Sequence, residues 1–294
     1  MGNSCVKGKI SKRAICVPTV NSAALWPEFS ARLRKQGIPT ENALILDSAS
    51  TDGTPDLARR DGFRVVEISR SDFRHGGTRQ LGVDLLNDAD VIVFLTQDAL
   101  LTSDDAIAKL ISCFEDPRVG AAYGRQLPRP GASLIEAHAR HFNYPPESAV
   151  KTLDDAPRYG FKSIFFSNSF GAYRRSALME VGGFLKEARF GEDTIAAARL
   201  LMAGWKIVYS AEAKVYHSHA YSIAEEYRRY VQIGQLHATQ PWLHEKFGAV
   251  RGEGMRFLRS QFKMLAHEAP FQVPEALLRA AAKWIGYRVG LKET

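Results

Sequence analysis

The chain has 294 residues, of which 45% are hydrophobic and 24% are charged. This length can bury one large domain with an appendage, or two modest domains, and the composition excludes fibrous, collagen-like and wholly disordered chains. The formal net charge of +7 suits an anionic partner such as a nucleotide diphosphate, an acidic lipid surface or nucleic acid, and it is equally consistent with a merely basic surface.

The cysteine pattern and the N-terminal residues predict the cellular compartment of the protein. Cys5, Cys16 and Cys113 are an odd number without C-x-x-C spacing, so neither a disulfide framework nor a zinc site is indicated. No apolar run reaches the roughly 18–20 residues of a membrane-spanning helix, and the polar start lacks a signal-peptide core. We therefore expect a cytoplasmic protein. Residues 1–5 resemble an acylation signal, but Val6 stands where that signal requires Ser or Thr.

The first third of the chain alternates short β-branched runs with amphipathic stretches, a pattern typical of βαβ units and a parallel sheet covered by helices. The predicted strands are 14–17, 43–47, 64–68 and 91–96, and the predicted helices between them are 25–36, 55–61 and 78–86. The proline-rich middle, 131–163, predicts a long, partly helical excursion. From Ser222 onward the spacing of apolar residues predicts helices.

Polar residues follow three of these strands. Thr19 and Asn21 follow the first, the run 47–54 follows the second, and Gln97 follows the fourth. Ligands of α/β sheets bind beyond the carboxyl ends of the strands, so we expect the three strand ends to converge on one polar edge. Asp47 is placed to accept hydrogen bonds from a nucleobase or ribose, whereas Thr54 and its neighbours also serve as a turn and helix cap.

Three residues suit a divalent cation. Mg²⁺ and Mn²⁺ prefer one or two protein carboxylates and take their other oxygens from phosphates and water, which fits a diphosphate-bound metal at Asp98. His217 and His219 alternate after an apolar run, so they share a face in extended chain and either could reach a metal. The alternatives are a turn carboxylate and packed histidines.

Candidate acid–base and anion-binding residues open two predicted helices. Glu192 and Asp193 follow Gly191, where the helix dipole alone favours acids, yet a carboxylate there could also take a proton from an attacking hydroxyl. The glycines at 76–77 would let backbone amides and Arg79 approach an anion. That stretch does not match the phosphate-loop or dinucleotide fingerprints, which weighs against a kinase or dehydrogenase.

Taken in order, these features resemble family 2 inverting glycosyltransferases with the GT-A fold, over about residues 15–221. The motifs that carry the resemblance are V-P-T-V-N at 17–21, D-S-A-S-T-D-G-T at 47–54, G-G-T-R-Q-L-G at 76–82, L-T-Q-D-A at 95–99, S-N-S-F-G-A-Y-R-R at 167–175, G-G-F at 182–184, G-E-D-T at 191–194 and V-Y-H-S-H at 215–219. The resemblance implies a GT-A domain over 1–221, with a mostly parallel sheet, and a helical C-terminal extension over 222–294.

The resemblance also implies roles for individual residues. Asp193 is the expected catalytic base, and Asp98 and His217 are the expected ligands of Mg²⁺ or Mn²⁺. The expected nucleotide contacts are Pro18, Thr19, Asn21, Asp47, Ser48, Arg79 and Gln97, and Glu192 and Asn168 are expected on the acceptor or donor-sugar side. The sequence departs from the family pattern at Ser48, where many relatives have a second Asp, and at 97–99, which keeps one acid of the metal motif.

These variants are similar to the subgroup that transfers rhamnose from dTDP-rhamnose in bacterial surface-polysaccharide assembly. The implied reaction is transfer with inversion to a hydroxyl of a glycan or lipid-linked glycan. A UDP-sugar donor and an inactive nucleotide-sugar-binding protein remain alternatives. Nucleic acid is not an expected partner, because no binding motif accompanies the positive charge.

The C-terminal segment is basic. From Arg251 onward it holds eight Lys or Arg residues against four Glu. Basic amphipathic helices can lie on an anionic bilayer, which would place the protein peripherally on the inner face of the plasma membrane. The alternative is that these helices pack on the main domain with their charges in solvent.

Overall fold

The computed structural model describes residues 10–248 and 252–293, so Cys5, the stretch that resembles an acylation signal, and Arg251 lie outside the described residues. Chain contacts divide the protein into two compact units. The first unit comprises Met1–Arg125, Pro146–Leu153 and Phe166–Tyr216, and the second comprises Gln126–Pro145, Asp154–Phe165 and His217–Thr294. These units differ from the predicted division at residue 221, because the second unit also takes two segments from the middle of the chain.

The part of the chain that the structure describes contains nine strands and twelve α-helices. The strands are β1 (Arg13–Thr19), β2 (Ala43–Asp47), β3 (Arg64–Glu67), β4 (Val91–Leu95), β5 (Leu100–Leu101), β6 (Val119–Leu127), β7 (Ala149–Lys151), β8 (Phe170–Arg174) and β9 (Lys206–Tyr216). The helices are α1 (Trp26–Arg34), α2 (Thr54–Arg60), α3 (His75–Leu85), α4 (Ala106–Ser112), α5 (Leu134–Asn143), α6 (Ala156–Tyr159), α7 (Arg175–Glu180), α8 (Glu192–Met202), α9 (Ile223–Thr239), α10 (Trp242–Phe247), α11 (Glu253–Glu268) and α12 (Val273–Gly290).

The strands form one mixed sheet in the order β3-β2-β1-β4-β8-β6-β9-β5, with β7 paired to β9. The first four strands are parallel, as their predicted βαβ pattern requires. From β8 onward the resolved pairings are antiparallel, so the expectation of a mostly parallel sheet holds only for the first half. The repeating βαβ pattern ends at β4. The later strands lack this repeat, and antiparallel pairing does not require a helical crossover.

The core of the first unit explains why its central strands are continuous apolar runs. All five residues of β4, Val-Ile-Val-Phe-Leu, are buried, and so are all five of β2. A strand covered on both faces cannot alternate apolar and polar residues. The parallel register places Thr19 opposite Asp47, so the polar residues that follow β1 and β2 begin at the same level of the sheet.

In the second unit, α9 and α12 approach closely through glycines. A Cβ on Gly290 would overlap the carbonyl oxygen of Val231, and one on Gly286 would lie 2.5 Å from that of Tyr227. Small residues at a helix contact bring the backbones together. The inward face of α12 is therefore built from Ala276, Gly286 and Gly290. None of the helices within 10–248 and 252–293 combines the length and apolar character needed to cross a bilayer.

Candidate functional site

Hydrogen bonds join the loops after β1, β2 and β4. We call the five residues whose side chains make these bonds the strand-end site: Thr19, Asn21, Asp47, Ser50 and Gln97. Asp47 Oδ2 accepts from Thr19 Oγ1 at 2.9 Å and from Ser50 Oγ at 2.6 Å, while its Oδ1 accepts from Ser50 N at 2.8 Å. Asp47 is fully buried. Its carboxylate thus ties the end of β1 to the turn after β2.

Two further contacts complete the strand-end site. The Gln97 amide bonds both backbone groups of Val20, with Val20 N to Oε1 at 2.7 Å and Nε2 to Val20 O at 3.0 Å. Asn21 N donates to Ser50 Oγ at 2.8 Å, and its Oδ1 accepts from Thr51 N at 2.9 Å. The prediction that three strand ends converge is confirmed.

Features of the strand-end loops suit a bound ligand. Asn21 and Ala49 adopt positive φ angles of 47° and 51°, which L-residues other than Asn and Asp seldom do. The hydroxyls of Ser48 and Thr96 are buried, and neither has a hydrogen-bond partner among the described residues. Pro18, the next-to-last residue of β1, is half-buried. Nucleotide contacts at Pro18, Ser48 and the strand-end residues remain predictions.

The predicted metal ligands lie next to the β5–β9 ladder. Leu100 of β5 pairs with Tyr216 of β9 in this ladder. Asp98 precedes β5 and His217 follows β9, so both residues lie at the same end of the ladder. Asp98, His217 and His219 each offer one ligand atom, and these atoms all lie within 4.8 Å of one another. His219, which the sequence interpretation set aside in favour of His217, thus joins the candidate group.

The histidine geometry fits a cation. His217 Nδ1 lies 2.8 Å from Gln126 Oε1, an acceptor, so Nδ1 carries the proton and Nε2 presents its lone pair. His217 Nε2 is 3.1 Å from His219 Nε2. Ligating histidines in proteins commonly donate their second nitrogen to an oxygen in this way, which fixes the tautomer and the ring. With one carboxylate and two imidazole nitrogens, the group suits Mn²⁺ at least as well as Mg²⁺.

The predicted base belongs to a second group, the carboxylate cluster: Arg79, Asn168, Tyr173, Glu192 and Asp193. Gly191, at φ 76°, precedes α8 and lets the helix begin with the two acids. Arg79 Nη1 from α3 donates to Glu192 Oε1 at 2.6 Å, and both side chains are 5% exposed. Asn168 Nδ2 donates to the same oxygen at 3.0 Å.

Asp193 is oriented by donors on both of its oxygens. Its Oδ1 accepts from Thr194 N at 2.8 Å, and its Oδ2 accepts from Asn168 N at 3.3 Å. Unlike its neighbour Glu192, Asp193 is partly exposed, so an acceptor hydroxyl could reach it. The role of Asp193 as the general base stays a prediction.

The two acids have opposite electrostatic environments. Burial would raise the pKa of Glu192, but the Arg79 guanidinium, with help from His75 and Asn168, leaves it below its ordinary value. Burial raises the pKa of Asp193 to about 7, the negative charge of Glu192 adds to this, and Arg79 works against it. Burial also raises the pKa of Tyr173 well above its usual value, so its hydroxyl remains a donor to Asn168 Oδ1 at 2.9 Å.

The glycines before Arg79 have a packing role. A Cβ on Gly76 would overlap the carbonyl oxygen of Leu185, and Gly76 N donates to Ala188 O at 3.0 Å. Gly76 thus allows the start of α3 to pack against the segment that leads to α8. We expected these glycines to let an anion approach, but Gly76 lies against backbone atoms of residues 185–188 instead. Arg79 is 4% exposed and donates a hydrogen bond to Glu192. A nucleotide contact at Arg79 stays a prediction.

The sequence interpretation assigned no role to three residues that contact these groups, His75, Gln126 and Tyr173, and the family resemblance set His219 aside in favour of His217. Tyr173 stands inside the S-N-S-F-G-A-Y-R-R motif, five residues after Asn168, which was the available signal. Gln126 lies 91 residues from His217, and no local pattern connects the two.

Comparison with known proteins agrees with this arrangement. The family model described as Glycosyl transferase family 2 matches residues 14–182, which include the strand-end site, Asp98 and most of the carboxylate cluster. The chain belongs to the family 2 glycosyltransferases. It is 44% identical over 280 residues to the O-antigen chain rhamnosyltransferase RfbN of Salmonella typhimurium, covering 95% of this chain and 89% of that protein. It is 42% identical over 277 residues to the O-antigen chain rhamnosyltransferase WbaN of Salmonella anatum, covering 94% and 88%.

A solved structure shows the fold of this glycosyltransferase. The mannosyltransferase PcManGT from Pyrobaculum calidifontis, solved in complex with GDP-Man and Mn²⁺, superposes with a TM-score of 0.65 at 19% identity, covering 96% of this chain and 88% of that one. The expected GT-A fold with C-terminal helices is thereby confirmed.

Proposed function

We propose that this glycosyltransferase moves L-rhamnose from dTDP-L-rhamnose to a hydroxyl of a glycan acceptor, with inversion, in bacterial surface-polysaccharide biosynthesis. The observation that carries the proposal is the 44% identity over 95% of the chain to an O-antigen chain rhamnosyltransferase. The geometry of the site supports the reaction type. The donor nucleotide and the exact acceptor are the parts that experiment must test.

The nucleotide binds at the strand-end site. The buried hydroxyls of Ser48 and Thr96 offer hydrogen bonds that no described residue takes up. Pro18, Thr19, Asn21, Asp47 and Gln97 shape the loops around them.

The metal site is formed by Asp98 and His217, with His219 as a third ligand. A divalent cation, Mg²⁺ or Mn²⁺, neutralises charge on the departing nucleotide diphosphate when it is bound there. Gln126 holds the His217 ring in the tautomer that presents Nε2.

Asp193 removes the proton from the attacking acceptor hydroxyl. The oxygen then displaces the nucleotide diphosphate from the sugar carbon in one in-line step, so the configuration at that carbon inverts. A base whose pKa lies near 7 is largely deprotonated at slightly alkaline pH yet still strong enough to accept a hydroxyl proton.

The acceptor is a glycan, and we propose that it is carried on a lipid and that the enzyme meets it at an anionic bilayer surface. The support is an apolar stripe on α12 and the residues before it. Large apolar side chains there are turned to solvent: Phe271 is 79% exposed, Trp284 66%, Leu278 57%, Leu277 53% and Ile285 47%. Small residues fill the inward face of α12, so the stripe is not needed for packing on α9.

The charges beside the stripe favour an anionic bilayer over another apolar surface. Arg288 falls on the same face of the helix as Trp284, with its guanidinium carbon 5.9 Å from the indole centroid, and Lys292 lies just beyond the end of the helix. Tryptophan with adjacent cations is typical of helices that lie in the headgroup region.

Vesicle sedimentation tests the bilayer contact. The protein should bind vesicles containing phosphatidylglycerol in a salt-sensitive manner and bind pure phosphatidylcholine weakly, and Leu278→Glu with Trp284→Glu should lower the affinity roughly tenfold or more. Val150→Glu, at a residue that is 55% exposed on β7, is the control. Equal binding by the double variant would contradict the proposal. A dimer that the double variant loses would assign the stripe to a second copy of the chain.

Calorimetry with dTDP, UDP and GDP, each with and without Mg²⁺ or Mn²⁺, tests the donor and the metal. We expect a metal-dependent preference for dTDP that Asp98→Ala loses by about 10–100-fold. Asp104→Ala, at an exposed carboxylate in the next loop, should behave as wild type. A preference for UDP would replace the donor assignment, and absence of nucleotide binding under every condition would refute the proposal.

A further inference from the structure

The buried ion pair of the carboxylate cluster is unusual in its placement. Arg79 and Glu192 are 113 residues apart, and both are almost inaccessible to solvent. Removing two charges from water costs free energy that offsets much of their mutual attraction. A buried ion pair therefore adds little to the stability of the fold by itself. Glu192 directly precedes Asp193, so whatever holds Glu192 also holds the start of α8, from which the base projects.

Asn168 contacts both acids at once. Its side-chain Nδ2 donates to Glu192 Oε1 at 3.0 Å, and its backbone N lies 3.3 Å from Asp193 Oδ2. The Tyr173 hydroxyl donates to Asn168 Oδ1, which sets the orientation of the amide. One residue thereby couples the position of the buried carboxylate to the orientation of the partly exposed one.

We propose that Glu192, held by Arg79 and Asn168, is a positioning residue that orients Asp193 and sets the proton affinity of its carboxylate. This inference rests on the proposed role of Asp193 as the base. It gives Glu192 and Asn168 a different task from the sugar contacts that the family resemblance implies. It also gives Arg79 a task other than direct contact with the nucleotide.

The charges that face Asp193 act in opposite directions. Glu192 on α8 favours a proton on Asp193, whereas Arg79 on α3 disfavours it, with the Arg79 guanidinium also 3.1 Å from His75 Nδ1. Tyr173 on β8 stays neutral. Of the two charged groups, Glu192 has the larger effect on the pKa of Asp193. Without the Glu192 charge, Asp193 would be a weaker base that is deprotonated at lower pH.

The pH dependence of kcat/KM tests the inference. In wild type the acidic limb should lie near pH 7, where Asp193 loses its proton. Glu192→Gln keeps the shape and loses the charge, so the limb should move to lower pH by about one unit, with a lower plateau and an unchanged affinity for the nucleotide. Tyr173→Phe removes a hydrogen bond without changing charge, and its limb should stay in place.

Glu192→Gln leaves Arg79 buried without its charged partner, which disfavours folding. A double variant therefore provides a second test. Arg79→Met with Glu192→Met removes both charges, a replacement that proteins often tolerate. Its limb should also move down, though less, because the opposing charge is lost as well. An unmoved limb in either folded variant, or a raised donor KM with unchanged kcat, would overturn the inference. Full turnover by Asp193→Asn would instead remove the base, and with it the proposed mechanism.

Discussion

The strand-end site and the carboxylate cluster belong to the same unit but are built differently. In the strand-end site the partners follow neighbouring parallel strands, and the hydrogen bonds join one carboxylate to hydroxyls and amides. In the carboxylate cluster three charged side chains from α3 and α8 are brought together, with an asparagine and a tyrosine from the antiparallel half of the sheet.

In the proposed mechanism the strand-end site binds the nucleotide and the carboxylate cluster supplies the base. Around the buried Asp47, every hydrogen-bond donor is a neutral hydroxyl or backbone amide. The cluster around Asp193 instead depends on a balance between burial, one negative neighbour and one positive neighbour, and that balance brings its pKa into the working range. Variants in the two regions should therefore fail in different assays.

The largest effect is expected for Asp193→Asn. The amide cannot take the acceptor proton, so kcat should fall by about 10²–10⁴-fold while the affinity for nucleotide stays within error. Single-turnover transfer assays and calorimetry on the same preparation measure the two quantities. Asp56→Asn, at an exposed acid of α2, is the control. Retained turnover by Asp193→Asn would show that the base lies elsewhere.

A smaller effect is expected for Gly76→Ala, which tests whether the cluster depends on the approach of α3 to residues 185–188. The new methyl group would overlap the Leu185 carbonyl, so we expect a loss of about 1–3 kcal/mol in the free energy of unfolding and lower transfer activity. Gly77→Ala is the matched control, because its Cβ would stand 3.0 Å from Lys186 O, where a small shift suffices. Equal stability of the two variants in chemical denaturation would contradict this reason for the glycine.

The smallest effect is expected for Asp47→Asn in the strand-end site. An amide keeps one acceptor oxygen, so at least one of the three hydrogen bonds that Asp47 accepts would be lost while the others remain, and we expect about a tenfold weaker affinity for nucleotide. The pH limb of kcat/KM should stay where it is in wild type. A limb that moved with this variant would show that the two regions are electrostatically linked and would remove the distinction drawn between them.

Much of the strand-end site could be predicted from the sequence. The apolar runs of β1, β2 and β4 and the polar residues behind them are local patterns, and parallel pairing places such residues at one edge by geometry alone. The same reasoning could not reach the antiparallel half of the sheet, because the strands after β4 lack a repeating unit. It therefore overestimated the parallel content of the sheet.

All members of the carboxylate cluster except Tyr173 were predicted as site residues, but not as a cluster. The resemblance assigned Arg79 to the nucleotide and Glu192 and Asn168 to the sugars, since a motif records which residues occur and says nothing of what they contact. In the structure Arg79 and Asn168 both donate hydrogen bonds to Glu192. Tyr173 and Gln126 show the same limit, because each supports a side chain through a contact that spacing does not reveal.

By itself, the sequence determined the βαβ half of the fold, the polar strand ends and the order of motifs typical of family 2 glycosyltransferases, because these depend on local periodicity and residue type. Only the tertiary structure decided that Arg79 and Glu192 form a buried pair beside Asp193. A charge pair whose members are 113 positions apart exists only when the chain has folded, and its effect on a neighbouring carboxylate depends on the burial that folding creates.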